Sequence, residues 1–171
     1  MPAPIIVADT SVLINFLKIS RMDLIGRYPG RFLATDHVES ELADDYPEQR
    51  ARYQAARSPP ICSTHVPSPI LRKLNSSNGS DRAYVWGECS AIAVALSRGY
   101  AIAIDDGRAI KAAHREAELA RVSLTVLRTR DIMVGLIQAS VLSIEEADQI
   151  KADWETNHQF QLKERTFRDL V

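Results

Sequence analysis

Residues 5–17 read IIVADTSVLINFL, and this stretch decides the fold. Its first four residues form a short apolar run, which ends in the polar turn Asp9-Thr10-Ser11. After the turn, the apolar positions recur at the spacing of one helix face. The stretch therefore predicts a buried strand, a polar turn at its end and an amphipathic helix.

The same order returns along the chain. Residues 31–35 (RFLAT) precede Asp36, which is predicted to cap a helix in a capping box with Glu39. Further apolar runs at 100–104 and 124–127 are each followed by a predicted helix, from 107 to about 118 and from about 130. Strands that alternate with helices predict an α/β protein, a three-layer α/β/α sandwich with a mainly parallel, twisted central sheet.

The rest of the chain is interpreted as part of one domain spanning 1–171. Residues 88–98 predict a helix that Gly99 ends, and its apolar stretch 91–96 should be buried against the sheet. Residues 58–80 carry four prolines and an Asn/Ser/Gly run, which predict a loop-rich excursion. Residues 143–171 are expected to form a C-terminal helix, to about 155, followed by a tail that no pattern places.

The composition excludes several classes of protein. With 46% apolar and 25% charged residues, the chain has the balance of an ordinary globular domain, and a formal net charge of −1 argues against a broadly basic DNA-coating surface. Two cysteines, Cys62 and Cys89, and four scattered histidines argue against a disulfide framework and a zinc site. No apolar stretch reaches the length of a membrane span, so a cytoplasmic location without a membrane partner is expected.

Acidic side chains occupy the positions where chemistry is expected. Asp9 and Asp105 follow two different strands, whose carboxyl ends meet at one edge of a parallel sheet. Glu88 opens the helix between them, Glu41 lies on a helix of its own, and Asp106 adjoins Asp105. Carboxylates brought together repel one another, and a hard divalent cation, Mg²⁺ or Mn²⁺, is the usual remedy.

A metal held by carboxylates suits phosphodiester hydrolysis, because it neutralises charge on phosphate and activates water without a His or Ser nucleophile. The sequence also lacks a phosphate-binding Gly-rich loop and a Gly-x-Ser-x-Gly elbow. Taken singly, each acid has a simpler interpretation: Asp9 and the pair Asp105-Asp106 as helix caps, Glu88 as a complement to a helix dipole and Glu41 as a solvated surface residue. The combination favours a metal site, because caps do not require carboxylates at two strand ends.

Four stretches, at 5–15, 38–42, 87–95 and 104–106, resemble in order and separation the successive motifs of PIN-domain nucleases. That family includes the VapC-type toxins of bacterial toxin–antitoxin pairs, and its members cleave RNA with Mg²⁺ or Mn²⁺ on a parallel α/β sheet. The resemblance implies a metal-dependent ribonuclease, with RNA, an antitoxin protein and a second copy of the chain as partners. Its site residues would be the metal ligands Asp9, Glu88, Asp105 and Asp106, the ligand or water-orienting Glu41, and the supporting Ser11 and Asn15.

The chain departs from the family pattern in three places. Glu88 stands where Asp is commoner, the stretch between Glu41 and Glu88 is long for a minimal toxin, and the Asp105-Asp106 pair leaves the fourth ligand open. Basic residues at helical spacing beyond these acids, Arg108, Lys111 and Arg115, and the pair Arg128 and Arg130, are candidates for binding RNA phosphates. A solvated helix face is the alternative interpretation of the first group.

Three other functions are compatible with part of this pattern. A receiver-like phospho-acceptor domain is also α/β and acidic, but its acidic pair would follow the first strand. A haloacid-type phosphatase needs a second Asp where Ser11 stands. A PIN scaffold that has lost catalysis would act as a non-catalytic RNA-binding or regulatory protein, and only the geometry of the acids distinguishes it from an enzyme.

Overall fold

The structure is a computed structural model that describes residues 3–45, 47–56, 61–64 and 85–171. Side chains are described for these residues except at 43–45, 47, 56, 61–64 and 85–88.

A five-stranded parallel sheet lies at the centre of the described chain, in the order β3-β2-β1-β4-β5. Its strands are β1 Ile5–Ala8, β2 Arg31–Thr35, β3 Ile61–Thr64, β4 Ala101–Ala103 and β5 Val126–Leu127. After β1, the chain adds β2 and β3 on one side of β1, and then adds β4 and β5 on the other side. The strand order therefore reverses between β1 and β4, where an open α/β sheet forms a crevice at the carboxyl ends of its strands.

Eight helices and one short turn of 3₁₀-helix surround this sheet in the described residues. The helices are α1 Thr10–Lys18, α2 Met22–Arg27, α3 Asp36–Asp45, α4 Pro47–Ala56, α5 Val85–Arg98, α6 Gly107–Ala120, α7 Thr129–Gln138 and α8 Ile144–Asn157. The 3₁₀ turn is Phe167–Asp169. None of these helices has both the length and the apolar character needed to cross a membrane.

Two apolar clusters cover the two faces of the sheet. Ile6 and Ala8 of β1 belong to the larger cluster, with buried residues from α1, α2, α7 and α8. Val7 points to the other face, where it packs with Ile102 and with α5 and α6. Successive side chains of β1 thus point to opposite faces of the sheet, and both faces are buried. This confirms the predicted three-layer sandwich with a parallel sheet.

The strands at 5–8 and 31–35 and the helices that follow them lie where the sequence places them. The apolar stretch of α5 is buried as predicted, with Ala91 and Ala95 fully inaccessible, although α5 begins earlier than residue 88. Strands β4 and β5 are shorter than the predicted 100–104 and 124–127. The paired register joins only Ile102 to Val126 and Ala103 to Leu127, although Ile104 still donates from its backbone N–H to the carbonyl of Leu127 at 2.9 Å.

Three elements differ from the sequence predictions. Helices α2 and α4 were not predicted, since neither has a long apolar period. Strand β3 lies inside 58–80, the stretch predicted to be loop-rich, and 57–60 and 65–84 lie outside the described residues.

The prediction that Asp36 caps α3 is wrong. Thr35 caps this helix, because its hydroxyl accepts from the backbone N–H of Val38 at 3.2 Å.

Candidate active site

Asp9 stands where β1 ends and α1 begins. Its backbone N–H donates to the carbonyl of Ala103 in β4 at 2.9 Å, which extends the ladder by one bond and fixes Asp9 at the crevice. Oδ2 of its carboxyl accepts from the backbone N–H of Ser11 at 3.0 Å and from the Ser11 hydroxyl at 2.6 Å. Asp9 therefore does cap α1, as the simpler interpretation holds, but with only one of its two oxygens.

The other oxygen, Oδ1, is buried and has no hydrogen-bond partner among the described residues. Asp9 is 2% exposed, and burial raises the pKa of its carboxyl, against which the hydrogen bonds from Ser11 and from the backbone N–H of Thr10 act. The negative charge of Asp106 raises that pKa further. A buried carboxylate with an unpaired oxygen is costly unless a proton or a cation neutralises it.

Asp105 follows β4, the neighbour of β1, and accepts hydrogen bonds at both oxygens. Oδ1 accepts from the backbone N–H of Thr129 at 3.0 Å, and Oδ2 accepts from the Thr129 hydroxyl and from the Asn15 side-chain amide. Burial raises the pKa of Asp105, while these hydrogen bonds and the positive charge of Arg128 oppose the rise. Three donors fix the carboxyl in one orientation and leave Oδ1 with spare acceptor capacity.

Ser11 connects the two acids. Its hydroxyl donates to Oδ2 of Asp9 and accepts from the backbone N–H of Asp105 at 3.1 Å, across 94 positions in the sequence. The hydroxyl thus has one strong acceptor and one donor, which sets the direction of its single proton. The first turn of α1 and the end of β4 are held together at the point where both carboxyls lie.

The remaining predicted acids differ in what the structure describes. Glu41, on α3, accepts through Oε2 from the hydroxyl of buried Thr10 at 3.0 Å, which brings it to the same turn. Asp106 caps α6, because its Oδ1 accepts from the backbone N–H groups of Arg108 and Ala109 at 2.8 and 2.9 Å. Glu88 lies near the start of α5, which packs against α3, but its side chain lies outside the described residues.

The fit of these residues to a divalent cation rests on Asp9. Among the described side chains, no group of three or more Asp, Glu, His or Cys residues is arranged to hold an ion. Mg²⁺ does not need such a group, because it commonly keeps several waters and is bound through one or two carboxylates together with substrate phosphates. The unpaired oxygen of Asp9 and the oriented carboxyl of Asp105 are hard oxygen donors of that kind.

Three residues that support the site were not found from the sequence. Thr129 makes two of the three hydrogen bonds to Asp105 and is itself fully buried. Thr10 positions Glu41, and Trp154 donates from its indole N–H to the backbone carbonyl of Asn15 at 2.8 Å. Thr129 had a detectable signal, because it is the first polar uncharged residue after the predicted strand at 124–127.

The basic residues proposed to meet RNA are placed at different distances from the acids. Arg108 and Lys111 are exposed on α6, just after Asp106, and the same exposed face carries Arg115. Arg128 is exposed where β5 passes into α7, and its charge acts on Asp105. Of these residues, Arg128 acts on the acidic site, because its positive charge opposes the rise in the pKa of Asp105.

A family model described as "DUF3368: PIN domain" matches residues 5–152, most of the chain. Among curated proteins, no significant match exists. The solved structures that resemble the chain include the Mycobacterium tuberculosis toxin VapC20, described as cleaving the sarcin-ricin loop, at 20% identity and a TM-score of 0.48, covering 63% of this chain and 94% of that one.

Two further solved structures have a similar level of likeness. The PIN domain of T. brucei RRP44 is 12% identical with a TM-score of 0.49, covering 81% of this chain and 84% of that one. A PilT N-terminus domain protein of the archaeon Sulfolobus solfataricus is 14% identical with a TM-score of 0.47, covering 81% and 94%. The family model, together with a parallel sheet whose switch point holds Asp9 and Asp105, establishes that this chain belongs to the PIN-domain family and has a nuclease-type fold.

Proposed function

We propose that this chain is a metal-dependent endoribonuclease, which hydrolyses phosphodiester bonds of RNA at the crevice between β1 and β4. The observation that carries the proposal is the buried Oδ1 of Asp9, which lacks a partner among the described residues and lies at the switch point of a nuclease-type sheet. A cation is the ligand that satisfies both the unpaired oxygen and the negative charge of a buried carboxylate.

Each acid has a role in the proposal. Asp9 is the central metal ligand, and Asp105 offers its Oδ1 as a second. Glu88 and Asp106 are further ligands, while Glu41, held by Thr10, ligates the ion or orients water. Mg²⁺ and Mn²⁺ are the expected ions because all the donors are oxygens. When bound, such an ion neutralises charge on the phosphate and lowers the pKa of a coordinated water.

The residues of the chain itself supply the orientation. Ser11 holds the carboxyl of Asp9 in place and ties it to the backbone of Asp105. Asn15 and Thr129 donate hydrogen bonds to the carboxyl of Asp105, so that it is already oriented before the reaction begins. Arg128 places a positive charge near Asp105, where the phosphate backbone of RNA would approach.

The test is cleavage of single-stranded and structured RNA by the purified chain with Mg²⁺ or Mn²⁺, and with a chelator. Asp9→Asn and Asp105→Asn should each lower the rate by about 100-fold or more, because losing a ligand costs several kcal/mol of transition-state stabilisation. Asp23→Asn is the matched control, since Asp23 is exposed and forms a surface ion pair with Arg21. Circular dichroism checks that each variant folds.

Full metal-dependent activity in both site variants would show that the acids are wrongly assigned. Salt-dependent RNA binding without cleavage under any of these conditions would instead identify a non-catalytic PIN scaffold.

We also propose, from the family alone, that the protein acts as the toxin of a toxin–antitoxin pair, with an antitoxin protein and a second copy of the chain as partners. Induced expression in bacteria should then arrest growth, and the Asp9→Asn variant should not. Normal growth with active, soluble wild-type enzyme would remove the toxin role and leave the ribonuclease proposal intact. Light scattering of the purified chain measures whether it dimerises.

A further inference from the structure

A pocket of about 130 Å³ lies beside Asp105. One wall comes from the junction of β5 and α7, through Arg128 and Arg130. The opposite wall is the C-terminal segment, which we define as residues 159–165, through its part 160–164. This segment follows residue 152, where the match to the family model ends, so the wall belongs to this chain and not to the matched pattern.

The C-terminal segment is held in place by packing. Its side chains alternate between exposed and partly buried positions from Gln159 to Arg165. Inward, the ring of Phe160 packs edge-on against Trp154 at 5.5 Å, and Glu164 forms an ion pair with Arg130. Beyond the segment, buried Phe167 anchors the chain through a backbone hydrogen bond to Asp148. The wall is therefore part of the packed fold.

The positively charged residues at the pocket differ in whether they form ion pairs. Arg130 is compensated, because it pairs with both Glu164 and Asp131. Arg128 and Lys163 are exposed at the pocket, where their charges act on Asp105 and Glu164, but neither forms an ion pair within the described part of the chain. Two cations thus line one small space next to the acidic site, and Gln161 of the C-terminal segment lines it with them. Cations in this arrangement bind phosphate.

We propose that Arg128, Gln161 and Lys163 form a subsite for an RNA backbone phosphate next to the bond that is cleaved. The inference rests on the proposed ribonuclease function and adds a substrate-positioning role for the C-terminal segment. A backbone phosphate fits better than a free small molecule, since the pocket is smaller than the roughly 300–1,000 Å³ of typical ligand sites. Asp105 also lines the pocket, so that a phosphate bound there lies next to the acidic site.

The experiment measures RNA binding separately from cleavage. A fluorescent single-stranded RNA is titrated with the full chain carrying Asp9→Asn, in Mg²⁺, over a series of NaCl concentrations. On this background, Lys163→Gln and Arg128→Gln should each raise the Kd several-fold at low salt and reduce the slope of log K against log salt by about 0.7, the contribution of one phosphate contact on a single strand. Arg168→Gln is the matched control, because Arg168 is 70% exposed on the same tail but does not line the pocket.

Cleavage kinetics with Asp9 restored give a second measurement. Lys163→Gln should raise KM with little change in kcat, because a backbone contact away from the reacting phosphate contributes equally to ground-state and transition-state binding.

The experiment distinguishes failure of the proposed subsite from failure of the proposed function. If the wild-type chain cleaves RNA but Lys163→Gln and Arg168→Gln have the same Kd and salt slope, the subsite is refuted and the ribonuclease stands. If the wild-type chain neither binds nor cleaves RNA, the proposed function fails and the subsite fails with it. Thermal unfolding of each variant confirms that the fold is retained.

Discussion

The side-chain amide of Asn15 donates a 3.0 Å hydrogen bond to Oδ2 of Asp105, across 90 positions in the sequence. The same amide donates to the Thr129 hydroxyl at 3.1 Å, and the backbone carbonyl of Asn15 accepts from the indole of Trp154. Asn15 is 4% exposed. One buried residue on α1 therefore joins α7, α8 and the end of β4, and the orientation of Asp105 depends on it.

Replacing Asn15 by Ala should weaken both the fold and the site. The substitution removes a buried donor from Asp105 and Thr129, which should lower the free energy of unfolding by about 1–3 kcal/mol, and kcat for RNA cleavage should fall because Asp105 loses one of three donors. Urea unfolding and cleavage assays measure the two effects. Asn157→Ala is the control, since Asn157 is exposed and donates a hydrogen bond to Asp153 on the surface of α8. Equal effects of the two substitutions would contradict the central position of Asn15.

The stability of the metal-free protein should depend on pH through Asp9 and Asp105. Burial raises the pKa of both carboxyls above the ordinary value of 3.8, so the folded state binds their protons more tightly than the unfolded state does. The resulting stabilisation is complete below pH 3.8 and is lost as the pH rises through the folded-state pKa values. Urea unfolding in chelator over this pH range should show a smaller loss in Asp9→Asn than in the wild type. Parallel curves for the two proteins would show that the pKa of Asp9 is not raised.

Mg²⁺ or Mn²⁺ should stabilise the wild-type chain and should not stabilise Asp9→Asn. A ligand that binds only the folded state at 100 times its Kd adds about 2.7 kcal/mol to the free energy of unfolding. The gain should increase with pH, since protons compete with the cation for the same carboxylates. Thermal unfolding with and without each metal measures the gain, with Asp23→Asn as the exposed control. An equal gain in the Asp9→Asn variant would place the metal elsewhere.

Trp154→Phe tests the link between α8 and the site. Phe keeps an aromatic ring against Phe16 and Phe160, which pack edge-on to Trp154 at 5.6 and 5.5 Å, but it removes the indole N–H. The buried carbonyl of Asn15 then loses its donor, at a cost of about 1–3 kcal/mol in unfolding free energy. The rate of cleavage should fall while KM changes little, because an Asn15 that is no longer held by Trp154 orients the carboxyl of Asp105 less well. Unchanged stability would mean that water or another donor replaces the indole.

Local patterns predicted the parts of the fold whose signal lies within a few residues. The run at 5–8 followed by the turn at Asp9 gave β1 and α1, and Ser143 with Glu146 forms the capping box expected at the start of α8. Elements with weak periods were missed. Helix α4 has few apolar positions, and β3 was hidden in a stretch rich in Pro and Ser, whose strand conformation depends on pairing with β2.

By itself, the sequence determined which residues follow strands, and in a parallel sheet this is enough to bring Asp9 and Asp105 to one edge. It did not determine the hydrogen bonds of the acidic residues, because these depend on groups distant in the chain: the Ser11 hydroxyl accepts from the backbone N–H of Asp105, Thr129 and Asn15 donate to its carboxyl, and Thr10 donates to Glu41. Only the tertiary structure decided that one oxygen of Asp9 is buried without a described partner and that the C-terminal segment forms a wall beside Asp105. The physical reason is that the formation of strands and helices follows from short-range patterns, whereas burial and hydrogen bonding are set by how those elements pack.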